Sequence, residues 1–294
     1  MNGLRESHLS SLKKLYTGKV RDIYAVDDKR LLMIATDRLS AFDVVFPQII
    51  PNKGKILTAM ANFWFAYLRP ICPHHLCHEA PSSVVSASER AQIADRAVLV
   101  KRLKPLPIEA IVRGYLAGSA WQEYQASGCV NAVPLATGLQ QAQALPQPLF
   151  TPSTKAALGT HDEPIDFAAM SNLIGVSLAH QVRDTSIALY QSACRYAQER
   201  GIIIADTKFE FGLDDDGQLT LMDEVLTPDS SRFWSRQHYC LGVLPPAYDK
   251  QLIRDWLVSN GWNKRPPTPD LPEEIITKTA ANYAAILALL TDKC

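Results

Sequence analysis

Residues 201–232, GIIIADTKFEFGLDDDGQLTLMDEVLTPDSSR, constrain this chain more than any other stretch. Ile202, Ile203 and Ile204 open it as a β-branched apolar run; polar and aromatic residues then alternate through Asp206, Lys208, Phe209, Glu210 and Phe211. A period of two marks a strand, whose successive side chains leave opposite faces. Asp214, Asp215, Asp216 and Gly217 supply a turn, and residues 219–225 read as the returning strand. Asp206, Lys208 and Glu210 therefore share one face. A loop of residues 216–217 or of 214–217 is even in length. Either predicts Leu221, Asp223 and Val225 on that same face and Glu224 on the other. An odd loop would exchange them, because a one-residue slip flips every side chain.

The expected cluster is Asp206, Lys208, Glu210 and Asp223. Carboxylates are hard oxygen ligands of the kind Mg²⁺ takes, and an ammonium among them can hold an anion. A solvated sheet face with a cross-strand Lys–Asp pair satisfies the same pattern. The TPDSSR block that follows weighs toward a site, since a turn, two hydroxyls and Arg232 arrive where the second strand ends.

At 294 residues the chain has length for about two domains and a substantial core. Lys plus Arg number 30 and Asp plus Glu 30, so the formal net charge is zero and no basic run marks a nucleic-acid surface. No apolar run reaches the length of a membrane span, and MNGLRESHLSSLKK lacks the apolar core of a secretory leader. Six cysteines, at 72, 77, 129, 194, 240 and 294, follow no framework spacing, which fits reduced thiols in the cytoplasm. The expected partners are small molecules, with neither nucleic acid nor membrane among them.

In chain order, residues 15–26 (LYTGKVRDIYAV) read as strand, tight turn and strand around Gly18, and 31–35 as a buried strand. Lys19 and Arg21 beside that glycine can lay cations and peptide N–H groups over a polyphosphate. The block is no Walker A motif, and an ordinary hairpin with exposed bases has the same pattern. Residues 36–44 (TDRLSAFDV) pack Asp37, Arg38, Ser40 and Asp43 between two apolar runs, dense for a connector. A structural Asp–Arg pair with a serine cap is the plainer reading. Ile56, Leu57, Met60, Phe63, Trp64 and Tyr67 recur at helical spacing, predicting an amphipathic helix over 56–68 that covers a sheet. Cys72, His74, His75, Cys77 and His78 invite a metal reading, but zinc sites draw on two separated pairs that converge in space. Adjacent His74 and His75 would point apart on a strand, so the group reads as ordinary loop and strand residues.

Residues 98–103 (VLVKRL) form a strand, after which Pro105 and Pro107 read as a hinge between two domains, 1–104 and 105–294. A strand resumes over 108–113. Arg113 at its end, with Gly114, Gly118 and Ser119 behind it, resembles a place where backbone and hydroxyl receive an anion. Residues 133–164 turn to Pro, Gln, Ala, Thr and Gly with little periodicity. They are expected to be a long loop lining the site through Lys155, His161 and Asp162. A helix follows over 178–200, with Gly201 as its C′ residue. Residues 249–260 and 273–290 predict two further amphipathic helices, the second with Ile276, Tyr283, Ile286 and Leu290 inward, serving as scaffold.

GKVRDIY, ATDRLSAFDV, IVRGYLAGSAW, FTPSTKA with THDE, and IIADTKFEFG followed by DEVLTPDSSRFW together resemble the SAICAR synthetases, in order and over most of the chain. The resemblance implies a two-domain α+β fold, distantly similar to ATP-grasp enzymes and protein kinases, with ATP between the domains. It implies an ATP-dependent ligase of de novo purine biosynthesis. Such an enzyme joins the carboxylate of CAIR, 5-amino-1-(5-phosphoribosyl)imidazole-4-carboxylate, to the amine of L-aspartate and releases ADP and phosphate. Carried over by motif, Lys19 and Arg21 fall in a phosphate-covering loop, and Lys101, Leu103 and Glu109 where the hinge meets adenosine. Glu210 and Asp223 match Mg²⁺-binding acids. Arg113, Ser119 and Arg232 match residues that hold the nucleotide substrate's phosphate, and Asp206 and Lys208 line the place of CAIR and the transferring phosphoryl group. Ser40, Lys155 and Asp162 match the motifs on the substrate side.

That chemistry needs such parts. A carboxylate oxygen must become a leaving group before an amine can displace it, and phosphoryl transfer asks for positioning and charge neutralisation. Mg²⁺ on Glu210 and Asp223, with Lys19 and Lys208, would supply both. Other classes leave different marks. A metal nuclease, suggested by Asp206-x-Lys208, predicts a basic face and salt-dependent DNA binding. A non-catalytic ATP-binding regulator would bind nucleotide without turnover, and a kinase-like phosphotransferase would release ADP without aspartate. A monomer or a small homo-oligomer is expected.

Overall fold

The computed structural model describes residues 3–155 and 162–292. Its first strands are β1 (Lys13–Thr17), β2 (Arg21–Ala25), β3 (Arg30–Ala35), β4 (Arg38–Ala41), β5 (Val44–Ile49) and β6 (Ala97–Lys101). β1, β2, β3 and β6 form an antiparallel sheet in that order, while β4 and β5 pair as a separate ribbon. Between them run α1 (Lys53–Leu68), the helix predicted over 56–68, and the short α2 (Arg90–Ile93). Asp37 proves structural: its carboxylate accepts from the Gly54 N–H at 2.8 Å at the start of α1 and pairs with Arg96 at 3.1 Å.

The second half contributes β7 (Lys104–Pro105), β8 (Ile108–Tyr115), α3 (Gly118–Ser127), β9 (Cys129–Val130), β10 (Val133–Pro134), β11 (Ala144–Phe150) and β12 (Ser153–Thr154). From residue 162 onward come α4 (Phe167–Ile174), α5 (Val176–Glu199), β13 (Ile202–Leu213), β14 (Leu219–Met222), β15 (Ser231–Ser235), α6 (Gln251–Ser259) and α7 (Glu273–Thr291). A seven-stranded sheet runs β11-β8-β13-β14, with β12 on β8 and with β7 and β15 on β13. The long loop expected over 133–164 is thus partly strand. β11 hides in it because Pro146 and Pro148 lack N–H groups; it lies at the sheet's edge and its register against β8 breaks between Ala144 and Leu149. His161 lies outside the described residues.

β13 is the spine of that sheet. Its register with β15 slips between Ile204 and Asp206, a bulge that reverses which side chains face α5. Ile202 and Ile204 before it, and Phe209 and Phe211 after it, enter one core cluster, while Ile203 and Ala205 face Trp234 on the other side. The Tyr190 hydroxyl of α5 donates to the Ile204 carbonyl at 2.6 Å at the bulge. After the reversal, Asp206, Lys208 and Glu210 share the face opposite the core. The same cluster takes Met60, Trp64 and Phe65 of α1, so this helix packs across from the first sheet onto the second.

The turn after β13 overturns the even-loop expectation. Leu213 pairs with Leu219, leaving 214–218 as the loop, an odd number of residues. The Asp214 side chain accepts from the N–H groups of Asp216 at 3.1 Å and Gln218 at 2.8 Å, which accommodates the extra residue. Leu221 consequently stands opposite Phe211 on the core side, and Met222 opposite Glu210.

Residues 73–77 strap the two sheets together. The Leu221 N–H donates to the Pro73 carbonyl at 2.8 Å, and the Lys101 N–H to the His75 carbonyl at 2.7 Å. Among the described residues, no group of three or more His, Cys, Asp or Glu is placed to hold a metal ion. His75 is buried, and burial pushes its imidazole from 6.5 down to about 3. Between those values the unfolded chain binds a proton that the folded chain does not, so stability is lost as pH falls below about 6.5. Lowering pH from 7 to 5 should remove about 2 kcal/mol through this residue alone. Urea unfolding of the wild type and of His75→Gln at both pH values checks it: the variant should lose that share of the pH dependence.

Candidate active site

Residues directly opposite in an antiparallel pair share a face. β13 sets Asp206 against Arg113 of β8 and against Arg232 of β15, and Lys208 against Ile111. The same register continued brings Glu109 opposite Glu210. The Lys208 ammonium donates to Glu109 and, at 3.3 Å, to Glu210. Lys155, beyond β12, donates to the other oxygen of Glu210. From the first sheet, Arg21 reaches across the cleft to Asp223, and its second nitrogen lies 3.0 Å from Glu224. Asp223 arrives by a route that alternation does not describe. β14 ends at Met222, Asp223 takes a left-handed φ of 67°, and the chain turns both acids toward Arg21.

The charges sustain one another. Burial opposes the Lys208 ammonium, but Glu210 and Glu109 outweigh it and raise its pKa. Burial likewise opposes the Asp223 carboxylate, and Arg21, Lys155 and Lys208 outweigh it, holding the acid below its ordinary range. Glu109 goes the other way: burial, with neighbouring Asp162 and Glu210, raises it despite the opposing effect of Lys208.

Beside this charged row opens a cleft of ≈ 560 Å³ of empty space, lined by Arg113, Ser119, Asp206, Lys208, Arg232 and Arg254 among others. Arg113 lies 3.4 Å from Asp206 and 3.5 Å from the Ser119 hydroxyl, and Arg232 also binds Asp206. Three guanidinium groups and a lysine facing one opening suit a phosphorylated ligand. Gly118 fits here for two reasons: its φ is +57°, and an added Cβ would sit 2.3 Å from an Arg232 nitrogen. Gly118→Ala should displace Arg232 and raise KM for a phosphorylated substrate about tenfold, with a conformational cost of about 1–2 kcal/mol in stability. Steady-state kinetics and thermal melting check the pair of effects.

The other expected residues are placed as follows. Lys19 sits in the β1–β2 turn and pairs with Asp43. Lys101 ends β6 beside the strap, and Leu103 abuts Gly212, whose added Cβ would lie 2.8 Å from that of Leu103; residues 101–103 thus pass between the sheets. Glu109, on β8, accepts from Lys208 of β13, and its other oxygen lies 3.4 Å from the Ser153 hydroxyl. Ser40 is buried in β4 opposite Val45, outside the cleft's described lining. Sequence reasoning set Glu224 on the far face and gave no role to Asp249 and Arg254, which line the cleft. The first follows from an odd loop; the others begin a helix that reads as scaffold.

The family model of SAICAR synthetase matches residues 14–269. The phosphoribosylaminoimidazole-succinocarboxamide synthase of Chromobacterium violaceum is 58% identical over 282 residues, spanning 96% of this chain and 99% of that protein. A Saccharomyces cerevisiae SAICAR synthase solved in complex with SAICAR superposes with a TM-score of 0.89 at 42% identity, covering 99% of this chain and 98% of that one. A type-2 SAICAR synthetase solved with ADP shares the fold, with a TM-score of 0.70 at 23% identity over 95% of this chain and 97% of that one. In sequence and in fold, the chain belongs to the SAICAR synthetase family.

Proposed function

We propose that this protein condenses CAIR with L-aspartate, with ATP cleaved to ADP and phosphate, and that the two sheets mark two lobes, 1–104 and 105–294, with ATP between them. The observation that carries the reading is the row Glu109, Lys208, Glu210 and Lys155, set between Arg21 with Asp223 on one side and the Arg113–Ser119–Arg232 cleft on the other. The row suits phosphoryl transfer and the cleft suits a sugar phosphate, so a carboxylate anchored by the cleft would present itself to the row.

Mg²⁺ fits the donor set. Glu210 and Asp223 offer hard oxygens, and two carboxylates are the usual protein share for an ion completed by phosphates and water. When bound, the ion would neutralise charge on the nucleotide phosphates. The chain's own groups do the rest. Lys19 and Arg21 cover the phosphates from the first lobe. Arg113, Ser119 and Arg232 anchor the phosphate of CAIR, and Asp206 keeps the two guanidinium groups aligned between turnovers. Lys208 neutralises the γ-phosphoryl group as a CAIR carboxylate oxygen bonds to phosphorus and the bond to ADP breaks. The aspartate nitrogen then attacks the acyl carbon, the carbon–oxygen bond to phosphate breaks, and the amine's proton passes to solvent or phosphate.

Among the described residues no helix is long and apolar enough to cross a membrane. We place the protein in the cytoplasm with its small-molecule substrates. The test is ADP release from ATP, Mg²⁺ and CAIR with and without L-aspartate. Turnover that requires both substrates supports the ligase. ADP release with CAIR alone makes the protein a phosphotransferase, and nucleotide binding without turnover makes it a regulator.

A further inference from the structure

The segment between β14 and β15 joins the two halves of the site. Asp223 and Glu224 at its start hold Arg21, and Arg232 just past its end flanks the cleft. Two of its non-glycine residues, Asp223 and Leu226, have φ values of 67° and 51°, a strained backbone that persists only where the surroundings fix it. Asp229 ties the segment to the body of the fold. One oxygen of its buried carboxylate lies 2.7 Å from the Lys53 ammonium and 2.9 Å from that of Lys250; the other accepts the Tyr283 hydroxyl at 2.8 Å. Lys53 opens α1, Lys250 precedes α6 and Tyr283 lies within α7, so three helices converge on one residue of the segment. A buried ion cluster is weak as a source of stability, since apolar replacements often match or exceed it. Its value here lies in what it holds. Thr227 passes the constraint along, donating to Glu224 at 2.7 Å while its carbonyl accepts from the Ser230 N–H at 3.1 Å.

We infer that the Lys53–Asp229–Lys250–Tyr283 cluster is a positioning device: it fixes the 223–231 segment where that segment lines the cleft, and so sets Ser230, Ser231 and Arg232 against the phosphate of the substrate. The inference rests on the function proposed above in taking the cleft as a sugar-phosphate site. Asp229 is a positioning residue, acting through Arg232, and the C-terminal helices are part of the site's support.

Tyr283→Phe in the full chain keeps the ring's packing and removes only the bond to Asp229; Asp229→Asn is the stronger lesion. Calorimetric binding of ribose 5-phosphate is the readout, beside thermal melting. The dissociation constant should rise about fivefold to tenfold in Tyr283→Phe and further in Asp229→Asn. An unchanged affinity in a Tyr283→Phe protein with a lowered melting point would reduce the cluster to a structural tether and overturn the inference, as would a wild-type protein that does not bind ribose 5-phosphate. Wild-type turnover with CAIR and aspartate is measured separately. Its failure would overturn the ligase reading, while the binding data still judge the cluster.

Discussion

Lys208→Met should lower kcat about 10²–10³-fold, the scale seen when one preorganised charge is withdrawn from a developing transition state. The ammonium lies between Glu109 and Glu210, which hold it charged against the effect of burial. Methionine fills the same volume and takes the charge away. The fold should survive, because the Lys208 side chain keeps 32% exposure and its loss costs less than the ~3–5 kcal/mol of a fully buried pair. Glu109, already raised by burial, would lose the partner that opposes the rise and would ionise less readily. A kcat within tenfold of wild type, in a folded protein, would contradict the role given to this lysine.

Asp223→Asn should be comparably severe, about 10³-fold in turnover, with weaker activation by Mg²⁺. The substitution is a clean one. Asp223 sits at a φ of 67°, a region that asparagine tolerates well, so the backbone has no reason to move. What changes is charge: the carboxylate held ionised by Arg21, Lys155 and Lys208 becomes a neutral amide. Glu224→Gln is expected to be milder. Glu224 shares Arg21 but accepts the Thr227 hydroxyl with its other oxygen, which places it as a support for the segment. Titrating Mg²⁺ in the turnover assay for both variants decides between the two acids. A lethal Glu224→Gln beside a mild Asp223→Asn would reverse their roles.

The face carrying Asp206, Lys208 and Glu210 was legible because a period of two cannot be mistaken over such a run, and Arg113 and Arg232 stood where strands meet turns. The route of Asp223 to the site was not. Asp214, Asp215, Asp216 and Gly217 suit even and odd loops alike, and a side-chain acceptor on Asp214 selected the odd one. Asp223 then reached Arg21 through a left-handed backbone, which no pattern of side chains announces. β11 escaped notice for a related reason, since the prolines that break a central strand are tolerated at an edge. Lys250 and Arg254 fall in a segment, 249–260, that reads as an amphipathic scaffold helix. Only the packing of the C-terminal helices against the cleft shows that one braces the 223–231 segment and the other lines the opening.

The central claim is that this cleft activates a carboxylate by phosphorylating it. CAIR carrying ¹⁸O in its carboxylate, turned over with ATP and L-aspartate, tests that directly by mass analysis of the phosphate released. Transfer of one labelled oxygen to phosphate for each SAICAR formed is the predicted result. Phosphate free of label, with SAICAR still accumulating, would contradict it.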